Sequence, residues 1–226
     1  NSVAARLADD VLWEGLRRLC DEHGISGKDL VTFMSNSVAA RLADDVLWEG
    51  LRRLRDEHGI SGKYLVTFMS NSVAARLGDD VLWEGVRRLR DEHDISGKDL
   101  VTFMSNSVAA RLGDETFWQS LHLLGQHLLP CDLASLLCNG IASRLNCTYA
   151  SEIIAILMHL EKHNLDGVAT LRTLLCASPL PQYVPELLTH VMVFDERVHL
   201  EAFLRRFKGD YHHKKQMARA LLCEPI

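Results

Sequence analysis

The sequence predicts an all-α fold: a right-handed α-solenoid of 35-residue helical-hairpin repeats with a divergent helical C-terminal cap. Three observations predict it. The phrase Asn-Ser-Val-Ala-Ala-Arg-Leu begins at Asn1, Asn36, Asn71 and Asn106, 35 residues apart each time. All four tryptophans, Trp13, Trp48, Trp83 and Trp118, keep the same beat. Within each period the apolar residues fall at helical spacing. A fixed period of this length marks an array in which each repeat buries its apolar face only by stacking on its neighbours. Residues 1–138 read as near-identical repeats, 139–167 as a divergent repeat and 168–226 as the cap. The chain starts in mid-repeat, as a fragment of a longer array is expected to.

One repeat reads as two helices. The first is expected to start at Ser26-Gly27-Lys28-Asp29, a serine followed three residues later by a carboxylate. Leu30, Phe33, Met34, Val38 and Leu42 then form a single amphipathic stripe. A Gly-Asp-Asp step, Gly78-Asp79-Asp80 in the third copy, closes that helix and caps the next. The second helix places Val46, Leu47, Leu51 and Leu54 on its apolar side. Its polar side carries Glu49, Arg52, Arg53, Arg55, Asp56 and Glu57, spaced for ion pairs of about 0.2–0.5 kcal/mol each. It stops at His58-Gly59-Ile60, a helix-ending glycine before a residue that folds back. Asp94 stands in for that glycine in the third repeat, and aspartate tolerates the left-handed conformation better than most residues.

The fifth repeat has drifted furthest. Asp132 to Leu145 is expected to be its first helix and Glu152 to Asn164 its second. Beyond Asp166 the period dissolves. Helices are expected from Val168 to Ala177, from Pro185 to about Phe194, from a cap at Asp195 through Phe207, and from Tyr211 to Leu222. Terminal repeats are atypical because they cover the end of the core.

Bulk properties exclude several classes. No run of 18 apolar residues exists, so no membrane span is expected. The six cysteines do not repeat, and Cys20 gives way to Arg55 and Arg90, so an intracellular, reducing compartment is expected. Cys131, Cys138 and Cys147, with His127, match no chelating spacing, so no metal or other cofactor is expected. Serines, histidines and acids recur with the period, and no phosphate loop or HExxH motif occurs, so no enzyme is expected. The net charge of −5 does not mark a nucleic-acid binder, although local distribution matters more than the sum. One basic stretch stands out: Arg205 to Arg219 carries six Lys and Arg residues against Asp210.

The fifth repeat, in different letters, still holds Asn139 for Asn36, Ala142 for Ala39 and Arg144-Leu145 for Arg41-Leu42. The aliphatic positions need only packing; Asn and Arg need another reason. Two are open. Arg6, Arg41, Arg76, Arg111 and Arg144 form a ladder that grips phosphates or carboxylates of a polymer, or they hydrogen-bond the loops of the neighbouring repeat. The tryptophans read as core anchors rather than base-stacking platforms.

Leu19-Cys20-Asp21-Glu22-His23-Gly24-Ile25-Ser26, with Leu30-Val31 and Ser35-Asn36-Ser37, resembles the repeat of TAL effectors and their TAL-like relatives. The likeness covers about residues 1–145. It implies that Asn36 and Ser37, Asn71 and Ser72, Asn106 and Ser107, and Asn139 and Gly140 are base-reading pairs in the DNA major groove. The hairpin opened by Asp29-Leu30-Val31-Thr32-Phe33 is also similar to pentatricopeptide-type repeats, which implies single-stranded RNA read one base per repeat. Both imply a modular nucleic-acid reader, in nucleus or organelle. The alternative is a protein-binding scaffold like other helical-repeat arrays, favoured by the acidic balance and the dense charge of the second helix.

Overall fold

The computed structural model describes residues 10–35, 41–69, 72–104, 107–137, 140–175, 188–189 and 191–205. Every regular element among them is helical, as the periodicity predicts. The chain divides into two compact units, residues 1–105 and 106–226.

The first unit holds α1 (Asp10–Asp21), α2 (Gly27–Ser35), α3 (Asp45–Asp56), α4 (Gly62–Met69), a 3₁₀ segment Ser72–Arg76, α5 (Asp80–His93) and α6 (Gly97–Met104). Aspartate starts the longer helices. Asp44 and Asp79 have extended backbones, and each carboxylate accepts the N–H two residues on, from Val46 and Val81, at 2.9 Å. That satisfies one of the orphan donors of a helix start and places a negative charge on the positive end of its dipole. The stop is a left-handed residue. Gly24, Gly59 and Asp94 have φ of 65°, 66° and 53°. Each returns its N–H to the carbonyl four residues back, and Ile25, Ile60 and Ile95 fold inward after them.

The short helices start where the sequence places them, directly after Ser26, Ser61 and Ser96, and a glycine sharpens the turn. Gly27, Gly62 and Gly97 stand at φ 54°, 53° and 51°, a turn that a β-carbon would strain. The Gly62 N–H also donates to the His23 carbonyl of the preceding repeat at 3.1 Å. The expected single helix through Leu42 is broken. In the second repeat α4 ends at Met69 and the chain resumes as 3₁₀ over Ser72–Arg76.

The short helices α2, α4 and α6 pack side by side, and each packs against its own longer partner. Leu47, Leu51, Leu54, Leu65 and Phe68 are sealed between the layers, with their counterparts in the next repeat. Each such side chain contributes about 1.5–3 kcal/mol on burial. Gly50 has a reason to be glycine: a β-carbon there would lie 2.9 Å from both terminal methyl groups of Leu77.

The second unit holds a 3₁₀ segment Ser107–Arg111, α7 (Glu115–Gly125), α8 (Pro130–Leu136), α9 (Gly140–Arg144), α10 (Cys147–Lys162), α11 (Gly167–Leu175) and α12 (Arg197–Arg205). The helix expected over Asp132–Leu145 is thus two, α8 and α9. Asp114 caps α7 and Asn146 caps α10. The core forms where α7 and α11 meet α10 and where α8 packs on α7 and α11, around Phe117, Leu121, Leu133, Ile153 and Ile156. The helix expected from Asp195 begins instead at Arg197, with the Glu196 carbonyl accepting its first bond from Leu200. Of the helix expected from Pro185 to Phe194, residues 188, 189, 191 and 192 are helical, and the helix expected from Tyr211 and the basic stretch beyond Arg205 lie outside the described residues.

Candidate functional site

The arginine ladder is the first candidate, and its geometry is specific. Arg41 sits where the 3₁₀ turn meets the cap of α3. Its Nε and Nη2 grip Oδ2 of Asp44 at 2.9 and 2.7 Å, and Nη1 donates to the Ala74 carbonyl of the following repeat. Arg76 makes the same fork on Asp79, at 3.0 and 2.6 Å. Arg111 forks onto Asp114 at 2.9 and 2.6 Å, then reaches the carbonyls of Ala142, Ser143 and Leu145 at 3.0, 3.0 and 2.8 Å. These side chains are 29%, 29% and 20% exposed, so their charged ends are mostly turned into the protein. Each aspartate therefore serves two masters: one oxygen caps its helix and the other holds the arginine. The guanidinium bonds keep the Asp44, Asp79 and Asp114 carboxyls below the usual carboxylate range. Arg144 differs. It ends α9 and is exposed, and three residues on stands Cys147 rather than aspartate.

The other predicted residues are placed less fully. Asn36, Ser37, Asn71, Asn106 and Asn139 lie outside the described residues. Ser72 and Ser107 open the 3₁₀ segments and Gly140 opens α9. Cys131 is exposed on α8, and Cys147 lies 3.7 Å from the Ser120 hydroxyl. Among the described residues no group of three His, Cys, Asp or Glu side chains is arranged to hold a metal.

A second constellation escaped the sequence reading. Trp48 lies between two groups of the preceding repeat. The His23 ring stacks at 6.1 Å and 22°, and the Arg18 guanidinium carbon sits 4.0 Å from the indole centroid. Trp83 repeats the arrangement with His58 at 6.4 Å and 13° and Arg53 at 4.0 Å. Each indole N–H donates to the carbonyl six residues earlier, Leu42 or Leu77, at 2.8 Å. His23 and His58 are 2% and 5% exposed, and their Nδ1 atoms have no hydrogen-bond partner. Burial lowers both imidazole pKa values, and the nearby Arg55 and Arg90 lower them further. Those two arginines also reach back across the repeat boundary, to the Glu22 and Glu57 carbonyls. The signal in the sequence is Arg, four residues, His, with Trp later in the next copy, and the same His also belongs to the helix stop.

The outer side of the longer helices carries a third feature. Between α1 and α3, and again between α3 and α5, a notch opens beside the same residue types. The second has a volume of about 350 Å³ and is lined by Val46, Gly50, Leu77 and Trp83, with Asp45, Glu49, Asp80 and Arg53 around them. Val11, Val46 and Val81 are each 43% exposed along this side. Charge elsewhere on these helices is interleaved: Arg52 pairs with Glu49, Arg53 with Glu57, Arg88 with Glu92.

Comparisons with protein-family models, with curated proteins and with solved structures find no match to this chain. Among the described residues no helix is long and apolar enough to cross a membrane.

Proposed function

We propose that the chain is a non-catalytic helical-repeat scaffold, a solenoid of 35-residue hairpins, that binds a protein partner on the outer side of its longer helices. The observation that carries this reading is the inward commitment of the arginines. Arg41 and Arg111 spend their donors on their own repeat's aspartate and the next repeat's carbonyls. A guanidinium held that way is a structural clamp, and a phosphate would have to displace an ion pair and a buried acceptor to reach it. Among the described residues, the charge on the longer helices is mixed and much of it is paired. A polyanion gains little from such a surface, because its affinity comes from releasing counterions at unpaired cations. The recurrence with the repeat of the serines, histidines and acids of residues 1–105 supports a non-catalytic reading.

The test is direct. Labelled single-stranded and duplex oligonucleotides of mixed sequence are titrated with the protein at low salt. The scaffold reading expects no saturable binding. Binding whose log affinity falls with log salt, with a slope reduced by about 0.7–0.9 in Arg41→Ala, would restore the TAL-like or pentatricopeptide-like reading instead.

A further inference from the structure

We infer that the two notches on the outer side of the first unit receive an extended polypeptide segment with one apolar side chain to each notch and basic side chains between them. The inference rests on the scaffold reading and names the partner's chemistry.

The notches are equivalent by the repeat. Val11, Gly15, Leu42 and Trp48 line the first, and Val46, Gly50, Leu77 and Trp83 the second. The glycines make the floor. With no β-carbon at Gly50, Leu77 lies directly against the helix backbone, and Gly15 and Leu42 do the same. The result is a shallow apolar pocket in a helix face that is otherwise charged. An exposed valine flanks each pocket, and Val81 continues the line.

The rim decides the partner. Around the second notch stand three carboxylates, Asp45, Glu49 and Asp80, against one guanidinium, Arg53. That guanidinium is held by Glu57 and lies on the Trp83 ring. Glu49 is likewise held by Arg52, so Asp45 and Asp80 supply the charge that a ligand meets. Both are exposed in the first turns of α3 and α5. An acidic rim repels phosphates and complements lysine or arginine. The apolar floor asks for leucine, isoleucine or phenylalanine. Because packed helices stand about 10 Å apart and a chain in the extended polyproline II form advances about 3.1 Å per residue with three residues per turn, residues three positions apart share one face and suit successive notches.

The experiment is selection from a displayed random-peptide library against the purified chain, followed by affinity measurement of the enriched peptides. Two double variants accompany it: Asp45→Lys with Asp80→Lys, and Val46→Asp with Val81→Asp. Both leave the capping residues Asp44 and Asp79 in place, and circular dichroism checks that each variant folds. The expected result is enrichment of peptides with Leu, Ile or Phe about every three residues and Lys or Arg between them. Their affinity should fall about tenfold or more in each double variant. Enriched peptides of another composition, or binding indifferent to both variants, would overturn the notch assignment while leaving the scaffold reading in place. No enrichment at all overturns the notch assignment too, and if oligonucleotides then bind with a steep salt slope, the scaffold reading falls with it.

Discussion

Residues 10–104 and residues 107–205 carry the same devices with different partners. Trp48 and Trp83 in the first region and Trp118 in the second all donate to the carbonyl six residues back, at 2.8, 2.8 and 2.9 Å. Arg41, Arg76 and Arg111 all fork onto the aspartate three residues on. Bonds local to one repeat are therefore retained where the sequence drifts. Bonds between repeats are remade. Arg41 reaches one carbonyl of its neighbour, whereas Arg111 reaches three on the divergent repeat. Gly50 leaves room for Leu77, while the same position in the next region is Ser120, whose hydroxyl donates to the Thr116 carbonyl at 2.6 Å and lies beside Cys147. A long, many-donor side chain accommodates a changed neighbour; a close backbone contact does not, and its residue changes with the neighbour.

The largest expected effect tests the tryptophans. Trp83→Ala removes an indole that is 7% exposed, unstacks His58 and Arg53, and orphans the Leu77 carbonyl. It should destabilise by about 3–5 kcal/mol. Trp118→Ala should cost the same, since its indole is 3% exposed and bonded alike. Trp13→Ala is the control: at 48% exposure it should cost about 1 kcal/mol. Urea unfolding of the three variants checks the ranking. Equal losses at Trp13 and Trp83 would mean that the stacking partners contribute nothing.

The arginines come next. Arg111→Ala leaves three carbonyls and an aspartate to find new donors, and Arg41→Ala leaves one carbonyl and an aspartate. The expected losses are about 2–3 and 1–2 kcal/mol. The reverse order in thermal or urea unfolding would show that the divergent repeat's carbonyls are satisfied by water.

Acid separates the regions in another way. His23 and His58 of the first unit have folded pKa values below the reference of 6.5, chiefly from burial. The unfolded chain then binds more protons than the folded one below that pH, so stability is complete above about pH 6.5 and falls as pH drops toward the folded values. The groups facing His23 are Trp48, Arg18, Glu22, Arg55 and Asp56, and the two carboxylates only partly offset the burial. The paired aspartates act in a lower window. Their depressed pKa values protect the fold above the ordinary value of 3.8 and fail only as pH falls beneath it. Melting temperature followed downward from pH 8 should decline first near pH 6.5, and His23→Gln with His58→Gln should flatten that first step. An unchanged first step would place the titrating groups elsewhere.

Much of this architecture was legible in the sequence, for physical reasons. Period and helical spacing are properties of burial, and burial is what the letters record most directly: Leu47, Leu51 and Leu54 face the core, although Val46, expected beside them, is 43% exposed. The aspartate caps and the Gly-Ile stops announced themselves because few residue types do those jobs. The broken first helix was hidden, since Phe68, Met69, Val73 and Leu77 keep their apolar alternation through the 3₁₀ turn. The candidate site was harder still. Whether Arg41 points outward to a polymer or inward to Ala74 depends on where the next repeat's carbonyl lands, and no local pattern encodes that. The histidine–tryptophan–arginine stack joins residues 25 and 30 positions apart, His23 and Arg18 with Trp48, and in near-identical copies every residue repeats equally, so repetition singles out none of them.

The smallest effect tests the close contact itself. Gly50→Ala adds a β-carbon 2.9 Å from both Leu77 methyl groups and 3.2 Å from its Cβ. Inside a helix, alanine is favoured over glycine by about 1 kcal/mol. Against this stands overpacking of a buried leucine, which costs about 1–3 kcal/mol when the neighbour has no room to turn. Leu77 is 3% exposed and has little such room, so a net loss of about 1 kcal/mol is expected. Ser120→Gly makes the complementary change in the other region. Nothing there needs the space, so the helix loses propensity and a hydroxyl bond, and a loss of about 1 kcal/mol is expected again. If Gly50→Ala instead stabilised the fold in urea unfolding, Leu77 would be free to shift, and the notch floor would be softer than its geometry implies.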